Sequence, residues 1–369
     1  MKIKKIFWYV PLELNHSSYI FTSIYEYCEL HKIELKISNE NLNVVGRISV
    51  KDDYSIQKKK FDKICYVTIV EENENRLNLA FDLYDIPYYF SQKAYQWADI
   101  VYKRSFQEIY VNKLPKKYRN KTKSVGFPFM IKPNVINRKL RNKIFFYYLI
   151  FNKKRFIKWD RLIAKRFLDY ISYVTNSWNY FIKTRTVSDF EKYSIPSNDK
   201  IFYQKRLFPG NLNADVKEIH RNRIALVKAL KMSFPENFIG GIKKDEVSKL
   251  LCPDLISNIS SQNQFLDELR NTEICIYTRG LKKSTGWTLS EFMSQGKCII
   301  AESIYNESPN PPIHGRELVF FKDDRDLIKL CEDLLNNNDK RQYLAKNARL
   351  YYEENISPKV FFSNLLLNL

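Results

Sequence analysis

The chain of 369 residues contains only nine glycines, four histidines and four methionines. With glycine so scarce and no repeat or low-complexity tract, a collagen-like or Gly-rich disordered protein is excluded. The six cysteines, Cys28, Cys65, Cys252, Cys275, Cys298 and Cys331, form no Cys-x-x-Cys pair. They are expected as reduced core residues of a cytosolic chain. No apolar run approaches the roughly 20 residues that span a bilayer. The opening "MKIKKIFWYVPLELNHSS" has too short an apolar stretch for a secretory signal. The expectation is a cytoplasmic chain, neither exported nor integral to a membrane.

Acidic residues are locally scarce as well. The formal net charge is +20, and most of the excess lies between Lys113 and Arg166, where eighteen lysines and arginines meet one acid, Asp160. Such a segment expects an anionic partner, whether lipid headgroup, nucleic acid or phosphorylated substrate; a solvated basic surface is the plainer reading. Its apolar middle, residues 144–151, is too short to cross a membrane but suited to lying against one. Arg138, Lys139, Arg141 and Lys143 on one flank, and Lys153, Lys154 and Arg155 on the other, would then snorkel to the headgroups. Burial of that middle within the domain is the alternative.

Apolar and aromatic residues are plentiful, 44% and 15%, enough for packed cores, and the length suits two domains. "KIKKIFWYV", then a helical period from Ser17 or Ser18 as N-cap, then "ELKIS" make an opening strand, helix and strand. Similar alternation follows, so parallel sheets covered by helices are expected. The rhythm breaks near Pro133 and resumes near Lys200, in a half that holds seven of the nine glycines. The domains are set at 1–195, with a basic aromatic insertion at about 133–170, and 196–345, followed by a C-terminal helix, 346–369, returning to the first.

In open α/β sheets ligands bind beyond the carboxyl ends of the strands. There the strand "EICIYT" runs into the loop "RGLKKSTGW". Backbone N–H groups at the start of the Trp287 helix, close approach at Gly286, and charge from Arg279, Lys282 and Lys283 suit a diphosphate, with Ser284 or Thr285 as cap. The alternative is a plain loop with surface lysines. Glu291 lies five residues after Gly286, among Leu289, Phe292 and Met293, placed to accept hydrogen bonds from a ribose diol or else exposed on the outer helix face. Asp82 and Asp85, three apart, read as structural or acceptor-side, and no Asp-x-Asp is followed by a compatible ligand set, so no metal is expected.

"GWTLSEFMSQGKCIIAES" resembles the C-terminal motif of the group-one glycosyltransferases of the GT-B fold. "HGRELVFFKDDRDLIKLCEDLLNNNDKRQYLAKNARLYYEENIS" is similar to that family's ending, and "WADIVYKRS" to a strand of its N-terminal half. The resemblance spans roughly residues 200–360. It implies two Rossmann-like domains with parallel sheets facing across a cleft, a nucleotide diphosphate sugar as co-substrate, Glu291 on the donor ribose, and Arg206 on the diphosphate. Two departures stand out: Lys283 occupies the place of the family's first glutamate, and the lysine usual a few residues after Arg206 is missing. Lys283 is therefore expected to supply that charge. Retention of configuration is the family's implication; if the enzyme inverts, His16, after the first strand, is the candidate base. A lipid-linked glycan in capsule or lipopolysaccharide synthesis, met at the inner face of the membrane, is the expected acceptor. No nucleic-acid partner is expected, although a nucleic-acid-binding protein using the basic aromatic segment is the rival from another class, and a binding-only relative is a third reading.

Overall fold

The computed structural model describes residues 2–369 except 41, 43, 44, 61, 62, 157–161, 195, 197, 211 and 212, and except the side chains of 154–156. The chain divides into two compact units, one of residues 1–189, 306–309 and 356–369, the other of 190–305 and 310–355. The breaks thus fall at 189/190 and 355/356 rather than at 195/196 and 345/346. The helix Asn338–Tyr351 stays with the second unit because its Leu344 is part of that unit's core.

The first unit holds β1 (Ile3–Tyr9), β2 (Glu34–Ser38), β3 (Val45–Ser49), β4 (Ser55–Lys60), β5 (Ile64–Glu71), β6 (Arg76–Asp82), β7 (Tyr89–Ser91), β8 (Ile100–Lys103) and β9 (Thr122–Ser124). Six of them form a sheet in the order β2-β1-β5-β6-β8-β9, and β4-β3-β7 form a small antiparallel sheet. The larger sheet is parallel except at β5, which runs against both neighbours. The physical reason lies in the link from Glu71 to Arg76, which is too short for the dozen-residue crossover that parallel neighbours need. β5 is buried along nearly its whole length, which is why "ICYVTIV" reads as a continuous apolar run.

The first helix, Leu14–His31, is capped by Glu13 rather than by Ser17 or Ser18, the Glu13 carboxylate accepting from the His16 N–H at 2.9 Å. The closing helix, Pro358–Leu367, rests on it. Tyr19 donates to the Ile356 carbonyl at 2.6 Å, and the Tyr27 and Phe362 rings lie 5.2 Å apart. The basic aromatic segment is an antiparallel helix pair, Arg138–Phe156 and Ile163–Lys183, joined by the Tyr170 hydroxyl to the Leu149 carbonyl at 2.7 Å and by Phe145 against Trp178 at 4.9 Å. Of its apolar middle, Ile144, Tyr148 and Phe151 are buried while Phe146 and Ile150 are exposed. Among the described residues no helix is long and apolar enough to cross a membrane.

The second unit holds β10 (Ile201–Lys205), β11 (Phe238–Ile242), β12 (Ile274–Tyr277), β13 (Cys298–Ala301) and β14 (Val319–Phe320), all parallel, in the order β11-β10-β12-β13-β14. The helices Ala214–Ser233, Asp324–Asn336 and Asn338–Tyr351 cover one face through Leu226, Leu230, Leu327, Leu334 and Leu344. All six cysteines are buried as free thiols. In the β12 core, burial pushes the Cys275 thiol up to about 12, the behaviour of a packing residue rather than a nucleophile.

Candidate functional site

The chain leaves β10 through one helix to β11 on one side, and the sheet continues from β10 to β12 on the other. The strand order therefore reverses between β10 and β12, and the carboxyl ends of these two strands bound the crevice where open α/β sheets take ligands. Three features meet there. Lys205 ends β10, and its Nζ donates to Thr288 Oγ1 at 2.5 Å, with the Tyr277 ring centroid at 5.2 Å. Gly286 opens the turn before the helix Thr288–Ser294, and a Cβ placed on it would lie 4.0 Å from Lys205 Nζ. Glu291, in that helix, is only 4% exposed, so the solvent-facing alternative is excluded.

Lys205 is the residue that sequence reasoning missed. Burial, and next the charge of Arg223, draw its ammonium down to about 7, while the Glu291 and Glu302 carboxylates favour the charged form. Arg223 spans the same crevice, donating from one end of its guanidinium to the Arg206 carbonyl and from the other to the Arg279 carbonyl at 2.8 Å. Its Nε is buried without a partner, and burial lowers its pKa. Neither Lys205 nor Arg223 has a carboxylate within ion-pair distance among the described residues. Two cations without paired anions beneath the end of a parallel sheet create a positive potential that an anionic ligand would relieve. Arg223 also lines a cavity of about 910 Å³ beyond the ends of β12, β13 and β14, with Glu302, Tyr305, His314 and Phe320.

The remaining residues of the loop are arranged differently from the sequence reading. Arg279 is not free to meet a diphosphate. Its guanidinium is held by Asp215 at 2.8 Å, Glu218 at 2.9 Å and Glu302 at 3.4 Å, and its N–H donates to Glu302 at 2.8 Å. Asp215 also accepts the Lys282 N–H at 2.8 Å, so the first turn of the helix Ala214–Ser233 clamps the whole loop. Lys282 and Lys283 both take left-handed backbone conformations, φ 53° and 61°, an arrangement that non-glycine residues adopt only under constraint. Lys283 sends its ammonium over the Tyr305 ring, 4.5 Å from the centroid, while the ammonium found at the Gly286 turn belongs to Lys205. Neither Ser284 nor Thr285 caps the helix; the N-cap is Trp287, without a side-chain cap bond. The Gly286 N–H donates to the Tyr277 hydroxyl at 2.9 Å. Arg206 is exposed at the strand end, its guanidinium over Phe208 at 5.3 Å.

In the first unit, His16 sits at the carboxyl edge of β1 as expected, but in a chain of charges. Its Nδ1 lies 2.7 Å from the Glu13 carboxylate and its Nε2 3.1 Å from Lys63 Nζ. Lys63 in turn contacts Asp85 at 2.9 Å, and Arg104 contacts the other Asp85 oxygen at 2.7 Å. The His16 Nε2 is thus covered by the Lys63 ammonium. A base at Nε2 would have to give up Lys63. Burial pushes the Asp85 carboxyl up, but Arg104 and Lys63 outweigh it and hold it well below the usual range. Asp82 forms a fully buried pair with Lys103 at 3.1 Å. On the helix pair, Arg138, Lys139, Arg141, Lys143 and Lys153 are exposed, while the side chains of Lys154 and Arg155 lie outside the described residues.

No protein-family model matches this chain, and no curated protein matches it. Among solved structures it is similar to HepE from Anabaena in complex with UDP and glucose, at 13% identity over 75% of this chain and 65% of that one, with a TM-score of 0.40. It is also similar to WaaG, a glycosyltransferase involved in lipopolysaccharide biosynthesis, at 14% identity over 72% and 90% of the two chains, with a TM-score of 0.33. TarM matches at 13% identity over 87% and 67%, with a TM-score of 0.35.

Proposed function

We propose that the protein is a group-one, GT-B-type glycosyltransferase, moving a sugar from a nucleoside diphosphate donor to a hydroxyl. What carries the reading is the meeting of Lys205, the open Gly286 turn and the buried Glu291 at the β10/β12 switch point. As the glycosidic bond breaks, negative charge grows on the diphosphate while the sugar becomes oxocarbenium-like. Lys205 and Arg206 meet that charge, and Arg223 adds a fixed positive field beside them. Glu291 accepts hydrogen bonds from the ribose hydroxyls. The departing phosphate takes the acceptor proton, which gives retention, and these cations stabilise the leaving group without a metal.

The acceptor in this reading is a lipid-linked glycan of surface polysaccharide, capsule or lipopolysaccharide assembly, met at the inner face of the membrane. The density of exposed bases on the helix pair supports it.

A thermal-shift panel of UDP, GDP and dTDP, with single-stranded RNA alongside, tests the donor. One nucleoside diphosphate is expected to stabilise the protein, and Glu291→Gln to weaken its binding about tenfold or more, the loss of a charged hydrogen bond. Turnover is expected to persist in EDTA. Stabilisation by RNA alone would reject the enzyme.

A further inference from the structure

We infer that the helix pair is a bilayer-insertion wedge: apolar side chains exposed on its two helices enter the headgroup layer of an anionic membrane, and the lysines around them rest on lipid phosphates. This deepens the membrane-facing part of the proposed function and is independent of which sugar is transferred.

The first helix shows why. Its exposed residues Lys139, Lys143, Phe146, Ile150 and Lys153 recur at steps of four and three, so they form one stripe along one face. Phe146 and Ile150 are 54% and 43% exposed. In the second helix Phe167, Leu168 and Ile171 are exposed near its beginning and Tyr180 near its end, and between them the same side carries Ser172, Thr175 and Asn179. The Tyr170 bond to the Leu149 carbonyl fixes the antiparallel register. That register sets Ile150 level with the beginning of the second helix, where Phe167, Leu168 and Ile171 are exposed, and leaves Phe146 at the middle of the first helix.

Packing does not account for them. The core of the pair is already supplied by Ile144, Tyr148, Val174 and Phe181, all essentially buried. Five large apolar side chains exposed on one pair of helices mark an interaction surface rather than scattered surface residues. Charge selects the partner, because residues 134–186 carry thirteen lysines and arginines against two aspartates. Lipid suits the patch better than nucleic acid, since Ile150, Leu168 and Ile171 offer no ring for base stacking, while an acyl boundary takes aliphatic and aromatic groups alike.

The test is flotation of the full chain with vesicles of phosphatidylcholine alone and of equimolar phosphatidylcholine and phosphatidylglycerol. The protein is expected to float with the anionic vesicles only. The double variant Phe146→Ser, Leu168→Ser, altered only at exposed positions, is expected to keep the wild-type Tm and lose about tenfold or more of vesicle binding. Substituting Lys139, Lys143 and Lys153 by Gln is expected to give a comparable loss at low salt. Equal flotation of the double variant, equal flotation on neutral vesicles, or capture by single-stranded RNA without vesicle binding would overturn the wedge. Nucleoside diphosphate stabilisation, read in the same samples, separates this result from the donor reading. A chain that floats but answers to no nucleotide keeps the wedge and loses the transferase.

Discussion

Lys205 Nζ donates to Thr288 Oγ1 at 2.5 Å, tying the end of β10 to the first residue of the helix that carries Glu291. The contact holds a cation at the floor of a glycine turn.

Acidity should modulate this cation in two opposite ways. Burial, with Arg223 nearby, draws Lys205 down to about 7, below the ordinary lysine value of about 10.4. Below that folded value the lysine is charged in both states and the cost of burying its charge is carried in full. Between the two values the unfolded chain binds the extra proton, so this group makes stability rise with pH across that window. Binding of a diphosphate needs the ammonium and runs the other way. From about pH 6 to about pH 8.5, affinity for the favoured nucleoside diphosphate should fall, and Lys205→Arg should flatten the profile. A flat wild-type titration would remove Lys205 from the site.

Gly286→Ala separates room for a ligand from room in the fold. Gly286 is not among the residues with positive φ, and an added Cβ would meet its nearest neighbours at 3.7, 3.7 and 4.0 Å, ordinary contact distances. Stability should change by less than about 0.5 kcal/mol. Nucleotide-sugar binding should weaken by about 1–3 kcal/mol if an oxygen of the donor approaches that backbone. Unchanged affinity by calorimetry would place the donor elsewhere.

For Arg279 a structural outcome is expected. Arg279→Met would leave Asp215 and Glu302 facing one another without their shared cation. Because these carboxylates are partly exposed, the loss should be about 2–3 kcal/mol, below that for a fully buried pair. Urea denaturation reads it, and a variant as stable as the wild type would mean the clamp contributes nothing.

Gly240→Ala tests the tight pairing of β10 with β11. Gly240 has φ +122°, and a Cβ there would stand 2.1 Å from the Tyr203 carbonyl oxygen, which is backbone and cannot turn aside. A loss of at least about 2 kcal/mol is expected. Wild-type stability by chemical denaturation would contradict that approach.

Much of the second unit was legible because its strands and helices carry local signals. "FIGGI", "EICIYT" and "KCIIAE" are short apolar runs bounded by turns or by helical periods, and each is a strand. Glu291 was legible as a candidate from its apolar neighbours, and its burial agrees with a role other than surface charge. Lys205 was readable in principle, as the last residue of "IFYQK", a strand that opens on an apolar run, which puts it at the carboxyl edge. The antiparallel course of β5 also had a signal, in the short polar link "ENEN" that leaves no room for a crossover.

The sequence by itself determined the alternation of strands and helices, the placing of glycine and glutamate beyond β12, and the concentration of basic charge in one segment, because each depends on neighbours within a few turns of chain. Which cations remain available was settled only by tertiary structure. Asp215 and Glu218 come from a distant helix to neutralise Arg279, while Lys205 and Arg223 are left without paired carboxylates among the described residues. Charge acts through space, and the partner that quenches a side chain or leaves it exposed to a ligand is set by which strand ends fold together rather than by distance along the chain.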